Sequence, residues 1–198
     1  MAFISTIPEE QAPDEVKRMY DQNLEKQRYI PNYSRVFSHR PQVMEAWAGL
    51  LRSIKSNMDT RRFELVTLAT ALALKNSYCS LAHGSVLRQK FYEPGQVALI
   101  AKSHLSADLT SAEKAMMGFA KQIARDASAI TQADIDGLRE HGFSDAEIFD
   151  ITTAATARCF FAKTLDALGA EPDEIYLELD EELRQTLTVG RPICGQAK

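Results

Sequence analysis

The segment KNSYCSLAHG, residues 75–84, sets Cys79 four residues ahead of His83 within an apolar stretch. On a helix that spacing puts both side chains on one face, a turn apart. A protonated imidazole beside a sulfur favours the thiolate; a neutral one accepts the thiol proton during nucleophilic attack. The same pair can also simply fill a helix face, because cysteine packs as a small hydrophobe. Glu64 is the nearest upstream carboxylate, and FELVTLATALAL around it carries no other charge. An ionised carboxylate buried there needs a partner. Folded back against His83, it would fix the imidazole as the third member of a triad does.

The elements needed to bring these groups together are legible. Asp59 or Thr60 can cap a helix beginning near Arg61, and Lys75-Asn76-Ser77 then interrupts it. Asn and Ser compete for backbone hydrogen bonds and so serve as caps. A break at this point makes Asn76 or Ser77 the N-cap of a second helix and places Cys79 in its first turn. There the helix dipole and free N–H groups favour a thiolate.

Elsewhere apolar residues recur at helical spacing, with no strand alternation. Val16, Met19, Tyr20 and Leu24 form one stripe after Pro13; Val43, Ala46, Trp47, Leu50, Leu51 and Ile54 form another after Pro41. Met19 and Trp47 are expected to pack the core. Thr110 with Glu113 and Ser144 with Glu147 match the capping box, and Thr131 with Asp134 is a weaker version. Gly142 and Gly169 stand where helices should stop, and Pro94-Gly95 precedes a short helix over about 96–102. Residues 64–83 and 147–166 align as two Ala/Thr-rich segments, either a duplicated helical hairpin or a chance likeness. The acidic stretch after Gly169 reads as a solvated helix with a loose or partner-docked end. The expected fold class is all-α, a single-domain multi-helix bundle over residues 1–198, with an acidic C-terminal extension at 171–198.

The chain has 198 residues, 45% hydrophobic and 25% charged, with a net charge of −4. That composition is globular, and the acidic balance speaks against nucleic acid or an anionic membrane surface as partner. No apolar run approaches the roughly 18 residues of a membrane span, and MAFISTIPEE lacks the layout of a secretory signal. Cys79, Cys159 and Cys194 are an odd, dispersed set, which fits a reducing cytoplasm better than a disulfide framework. Cys159, within TARCFFAK, is expected to be inert core; Cys194 is expected in a mobile tail. Glu64, Cys79 and His83 could offer three metal ligands, but His39, His104 and His141 show no spacing that joins them, so neither metal nor other cofactor is expected.

Glu64, Asn76 twelve residues on, Cys79 three further and His83 four further resemble the signature of the alkylhydroperoxidase AhpD-like family, in the carboxymuconolactone decarboxylase superfamily. The family pattern is a glutamate, an eleven-residue gap, Cys-x-x-Cys and a histidine four residues after the second cysteine. LTSAEKAMMGFA, ITQADIDGLREHGFSDAEIFDI and LDALG are similar to its uncharacterised peroxidase-related branch, so the resemblance covers roughly residues 30–175. It implies an all-α fold assembled as a homo-oligomer (dimer, trimer or hexamer). It also implies peroxide reduction in which the second cysteine attacks, the first resolves, and glutamate and histidine relay protons. By this resemblance Cys79 is the attacking cysteine, with His83 and Glu64 as the relay. Asn76 replaces the resolving cysteine, and Tyr78 stands where some members have histidine; both are candidates to line the substrate site.

With Asn76 in that place, a sulfenic acid at Cys79 has no local thiol to close on and needs an external thiol reductant, or Cys159 or Cys194. The leading expectation is therefore a single-cysteine, peroxidase-related antioxidant enzyme acting on a small-molecule hydroperoxide. A decarboxylase-like enzyme would instead use His83 and Glu64 for acid–base work on a small carboxylated metabolite, with Arg61, Arg62 and Arg88 flanking the motif. The third reading is a non-catalytic oligomeric helical binding protein.

Overall fold

The chain, seen in a computed structural model that describes residues 2–195, is built on one helix buried along nearly its whole length. This is α4, Thr60–Ala73, whose residues from Phe63 to Ala71 are all buried. A helix apolar on every side belongs in the middle, and α4 is flanked by three others: α5 (Ser77–Lys90), α7 (Ser111–Asp126) and α9 (Asp145–Ala167). Around these lie α1 (Asp14–Gln27), α2 (Asn32–Val36), α3 (Pro41–Lys55), α6 (Pro94–Lys102), α8 (Gln132–Glu140) and α10 (Glu181–Leu187). Among the described residues there is no strand, and no helix is long and apolar enough to cross a membrane. The all-α expectation holds.

Local signals set the boundaries. Asp59 accepts from Arg62 N at 3.0 Å and starts α4. The boxes at Thr110/Glu113, Thr131/Asp134 and Ser144/Glu147 all form, and an unanticipated one at Glu93/Gln96 starts α6 at Pro94. Gly169, at φ 74°, ends α9 as a left-handed residue.

One open alternative is decided and two expectations change. Residues 147–166 lie inside the unbroken 23-residue α9, whereas 64–83 span a helix, a break and a helix. The two segments are alike in composition and not a duplicated hairpin. Cys159 is only partly buried, on the side of α9 that carries the half-exposed Phe160, and is not core. The stretch after Gly169 is docked rather than loose. Leu183, Leu187 and Ile193 are buried in the main core, and α10 packs on α5 and α6. Cys194 is held by its own N–H to Pro172 O at 2.9 Å. Residues 196–198 of the predicted extension fall outside the described residues.

The docked segment matters because it closes over the α4–α5 break. Ser80 Oγ donates to Leu187 O at 2.5 Å, and Gly190 N donates to Ser77 Oγ at 2.7 Å. Gly190 passes so close to the break that a Cβ there would stand 2.1 Å from Lys75 O.

Candidate active site

The break comes from a helix stop and a helix start placed back to back. Lys75 takes the left-handed conformation, φ 56°, and Asn76 N returns to Ala71 O at 3.0 Å, closing the end of α4. Asn76 is then the N-cap of α5, its Oδ1 accepting from Cys79 N at 2.7 Å. Cys79 thus sits at the third helical position with its amide tied down. The same amide side chain donates through Nδ2 to Ala162 O at 3.2 Å, fastening the cap to α9. Asn76 is fully buried, with both ends of its amide on protein partners. The predicted substrate-lining position is occupied by a cap.

Glu64 and His83 meet as the spacing suggested. His83 Nδ1 donates to Glu64 Oε2 at 2.5 Å, and the opposite oxygen faces Lys55 Nζ at 3.6 Å. Their side chains are 12% and 3% exposed, so only the histidine has an edge toward solvent. Burial alone would raise the Glu64 carboxyl. The charge and hydrogen bond of His83, with Lys55 and Arg158, outweigh it and hold the group below its usual value. Burial, then the Arg158 charge, pushes His83 down despite Glu64. The state consistent with both directions is an ionised Glu64 and a neutral imidazole whose proton is on Nδ1. That leaves Nε2 as an acceptor.

The sulfur does not behave as the helix terminus alone suggested. Cys79 is 1% exposed. Burial pushes its thiol up, the charge and hydrogen bond of Arg158 oppose this, and Asp166 adds to the rise. The expectation of a resting thiolate is therefore reversed: desolvation outweighs the Arg158 guanidinium on the sulfur. Among the described residues, the polar side-chain group on the sulfur is Arg158, with Nη1 at 3.5 Å from Sγ, and not His83.

Arg158 is the residue that sequence reasoning missed. It reaches in from α9, is 3% exposed, and lies against the rings of Trp47 and Phe161 at 5.6 and 5.5 Å. Trp47 stacks on Phe161 at 4.1 Å, so the tryptophan expected to pack the core forms a wall beside this guanidinium. The signal was present: Arg158 is the one charged residue in ITTAATARCFFA, just as Glu64 is in FELVTLATALAL. The arginines singled out earlier are engaged elsewhere, Arg61 with Glu113, Arg62 with Asp59 and Glu147, and Arg88 with Asp180.

Tyr78 is buried beside Cys79 and turns its hydroxyl to Asp173, which also accepts from Asn32 N at 2.7 Å. Burial, followed by the Asp173 charge, drives the phenol well above its usual range. Tyr78 is thereby an anchor for the segment after α9, which also brings Tyr176 to its ring at 6.3 Å. Asp173 and Tyr176 carry no local signal, because they join the site only through tertiary packing. Among the described residues no group of three or more His, Cys, Asp or Glu is arranged to hold a metal ion.

Residues 41–122 match the carboxymuconolactone decarboxylase family. No curated protein matches the chain. Among solved structures, it resembles the alkylhydroperoxidase AhpD core of an uncharacterised peroxidase-related protein from Ralstonia eutropha JMP134, at 23% identity and a TM-score of 0.78 over 96% of this chain and 98% of that one. An uncharacterised peroxidase-related protein from Silicibacter sp. TM1040 gives 23% identity and 0.77 over 88% and 95%. The debrominase Bmp8, in a Cys→Ala variant bound to 2,3,4-tribromopyrrole, gives 15% and 0.71 over 93% and 95%. At such identities the likeness is one of fold, and the sequence match over 41–122 spans α3 to α7, including Glu64, Cys79 and His83. The match to the carboxymuconolactone decarboxylase family thus covers residues 41–122, and the fold of the whole is that of AhpD-like structures.

Proposed function

We propose that the protein is a peroxidase-related thiol enzyme that reduces hydroperoxides through Cys79. The observation carrying this reading is the juxtaposition of an N-capped cysteine, a guanidinium on its sulfur and a neutral histidine oriented by a buried carboxylate. The Cys79 thiol is protonated at rest, and its proton passes to a base as attack begins; His83 Nε2 is the acceptor left free for it. Sulfur attacks the O–O bond of ROOH, an S–O bond forms, and the O–O bond breaks. The departing RO⁻ takes the proton from His83 and leaves as ROH, and Cys79 becomes a sulfenic acid. An external thiol then displaces water to give a mixed disulfide, and a second thiol releases Cys79. Arg158 steadies the developing thiolate, with electrostatic help that is strongest in a site without water.

Neighbours described as peroxidase-related support this. The exposed Phe149 and Phe160 on the outer side of α9 suit assembly into a homo-oligomer.

One observation favours a second reading. The raised Cys79 thiol beside a well-made Glu64–His83 couple also suits acid–base chemistry on a carboxylated metabolite without sulfur attack. Turnover of an organic hydroperoxide with excess thiol separates the two. Cys79→Ser should abolish it; a variant with undiminished turnover moves the chemistry to His83 and Glu64.

A further inference from the structure

We propose that Arg158 is an anion anchor, whose Nε–H receives the carboxylate of a small apolar or aromatic substrate beside the Cys79 sulfur. Guanidinium presents donors along two edges of a rigid plane. One edge is used, with Nη1 on Cys79 Sγ. Nε, on the other side, is buried and has no hydrogen-bond partner. Buried donors without partners are few in folded proteins, and each calls for an explanation. Ring contacts with Trp47 and Phe161 accommodate the face of the plane but leave the Nε–H unsatisfied. The nearby carboxylate of Glu64 is drawn instead to His83 and Lys55. What the geometry lacks is an oxygen acceptor with negative charge, and a carboxylate supplies it at a short distance from the sulfur.

The surroundings set the rest of the ligand. Trp47, Phe161, Phe37 and Tyr33 form a continuous set of rings around this point, with centroids 4.1 to 5.7 Å apart. Such walls favour a flat, apolar body. A cavity of about 770 Å³ bounded by α1, α2 and α3 shares Met19, Tyr33 and Met44 with the apolar cluster that holds Cys79. That ligand-sized space adjoins the same apolar cluster, although neither Cys79 nor Arg158 lines it. The net charge of −4 gives the chain no general attraction for anions, so any preference must be local.

This inference rests on the Cys79 cleft being the place of chemistry, as proposed above, but not on the reaction being peroxide reduction. The test is the alkylation of Cys79 by iodoacetate and by iodoacetamide, followed by peptide mass spectrometry. Dividing the two rates cancels the thiolate fraction. Relative to free cysteine in the same buffer, the ratio should favour iodoacetate by about tenfold, the worth of one charge-assisted hydrogen bond. Arg158→Met should return it to the free-cysteine value, with Arg158→Lys in between. A wild-type ratio equal to that of free cysteine overturns the proposal, as does a ratio unchanged in Arg158→Met. Failure of either reagent to reach Cys79, when the denatured protein alkylates fully, also overturns it. Should Arg158→Met not fold, wild type alone decides: millimolar benzoate should slow iodoacetamide at Cys79 and benzamide should not, and equal effects refute the anchor. Loss of hydroperoxide reactivity with the ratio intact removes the peroxidase reading and leaves this one standing.

Discussion

His83 and His104 are both largely buried, and burial is the first cause lowering the pKa of each, His104 to about 4. Their partners differ in sign. His83 Nδ1 donates to the Glu64 carboxylate, which leaves Nε2 as a bare acceptor. His104 Nδ1 accepts from the Lys121 ammonium at 2.9 Å, so the ring proton sits on Nε2 and the second nitrogen is a donor. Burial keeps both rings neutral, but the charge of the neighbour decides which nitrogen is left over. One ring is arranged as a base within reach of a sulfur's surroundings; the other is a neutral acceptor for a lysine on the rim of a cationic groove.

The largest expected effect breaks that contrast directly. His83→Asn should slow hydroperoxide turnover by roughly 10²- to 10⁴-fold, the usual worth of a general acid–base group. His104→Asn should leave it within about twofold. Equal losses in both variants, measured as kcat/KM, would mean that the two rings differ in structure and not in function.

Stability against acid should show the converse. Unfolded, His104 binds a proton near pH 6.5; folded, only near pH 4. The unfolded state therefore holds more protons across that window, and stability falls as the pH drops from 6.5 to 4. Lys121 and Lys114 impose the shift after burial, and His83 adds a slope of the same sign. His104→Gln should make the acid limb of a thermal-melt profile shallower without removing it. A limb as steep as wild type would assign acid sensitivity elsewhere.

The smallest effects separate two caps of equal local quality. Asn76→Ala should cost about 1–2 kcal/mol and alter Cys79 reactivity, because Asn76 also holds Ala162 O. Ser144→Ala, at the start of α9, should cost about 1 kcal/mol and leave Cys79 unchanged. Denaturant melts combined with thiol alkylation resolve both quantities.

What could be read from sequence follows the range of the interactions. Caps and the Glu64–Asn76–Cys79–His83 spacing act within a turn or across one helix break, so residue order specifies them. Arg158, Trp47 and Phe161 reach Cys79, and Asp173 its neighbour Tyr78, from distant parts of the chain, and nothing local announces their direction. Arg158 was nonetheless detectable as a lone charge in an apolar run. The tail was misread because its acidic residues dominate the composition, while Leu179, Leu183 and Leu187, four apart, are what dock it. The thiol was misjudged for a similar reason: a helix start is visible in sequence, but the depth at which it lies is not.

The central claim is that Cys79, although protonated at rest, attacks hydroperoxides because Arg158 holds its sulfur and His83, oriented by Glu64, lies one turn along α5. Its most direct test is the second-order rate of Cys79 oxidation by an organic hydroperoxide, read by mass spectrometry on the reduced protein. The account predicts a rate about 10²-fold or more above that of free cysteine at neutral pH. A rate equal to or below that of free cysteine would contradict it.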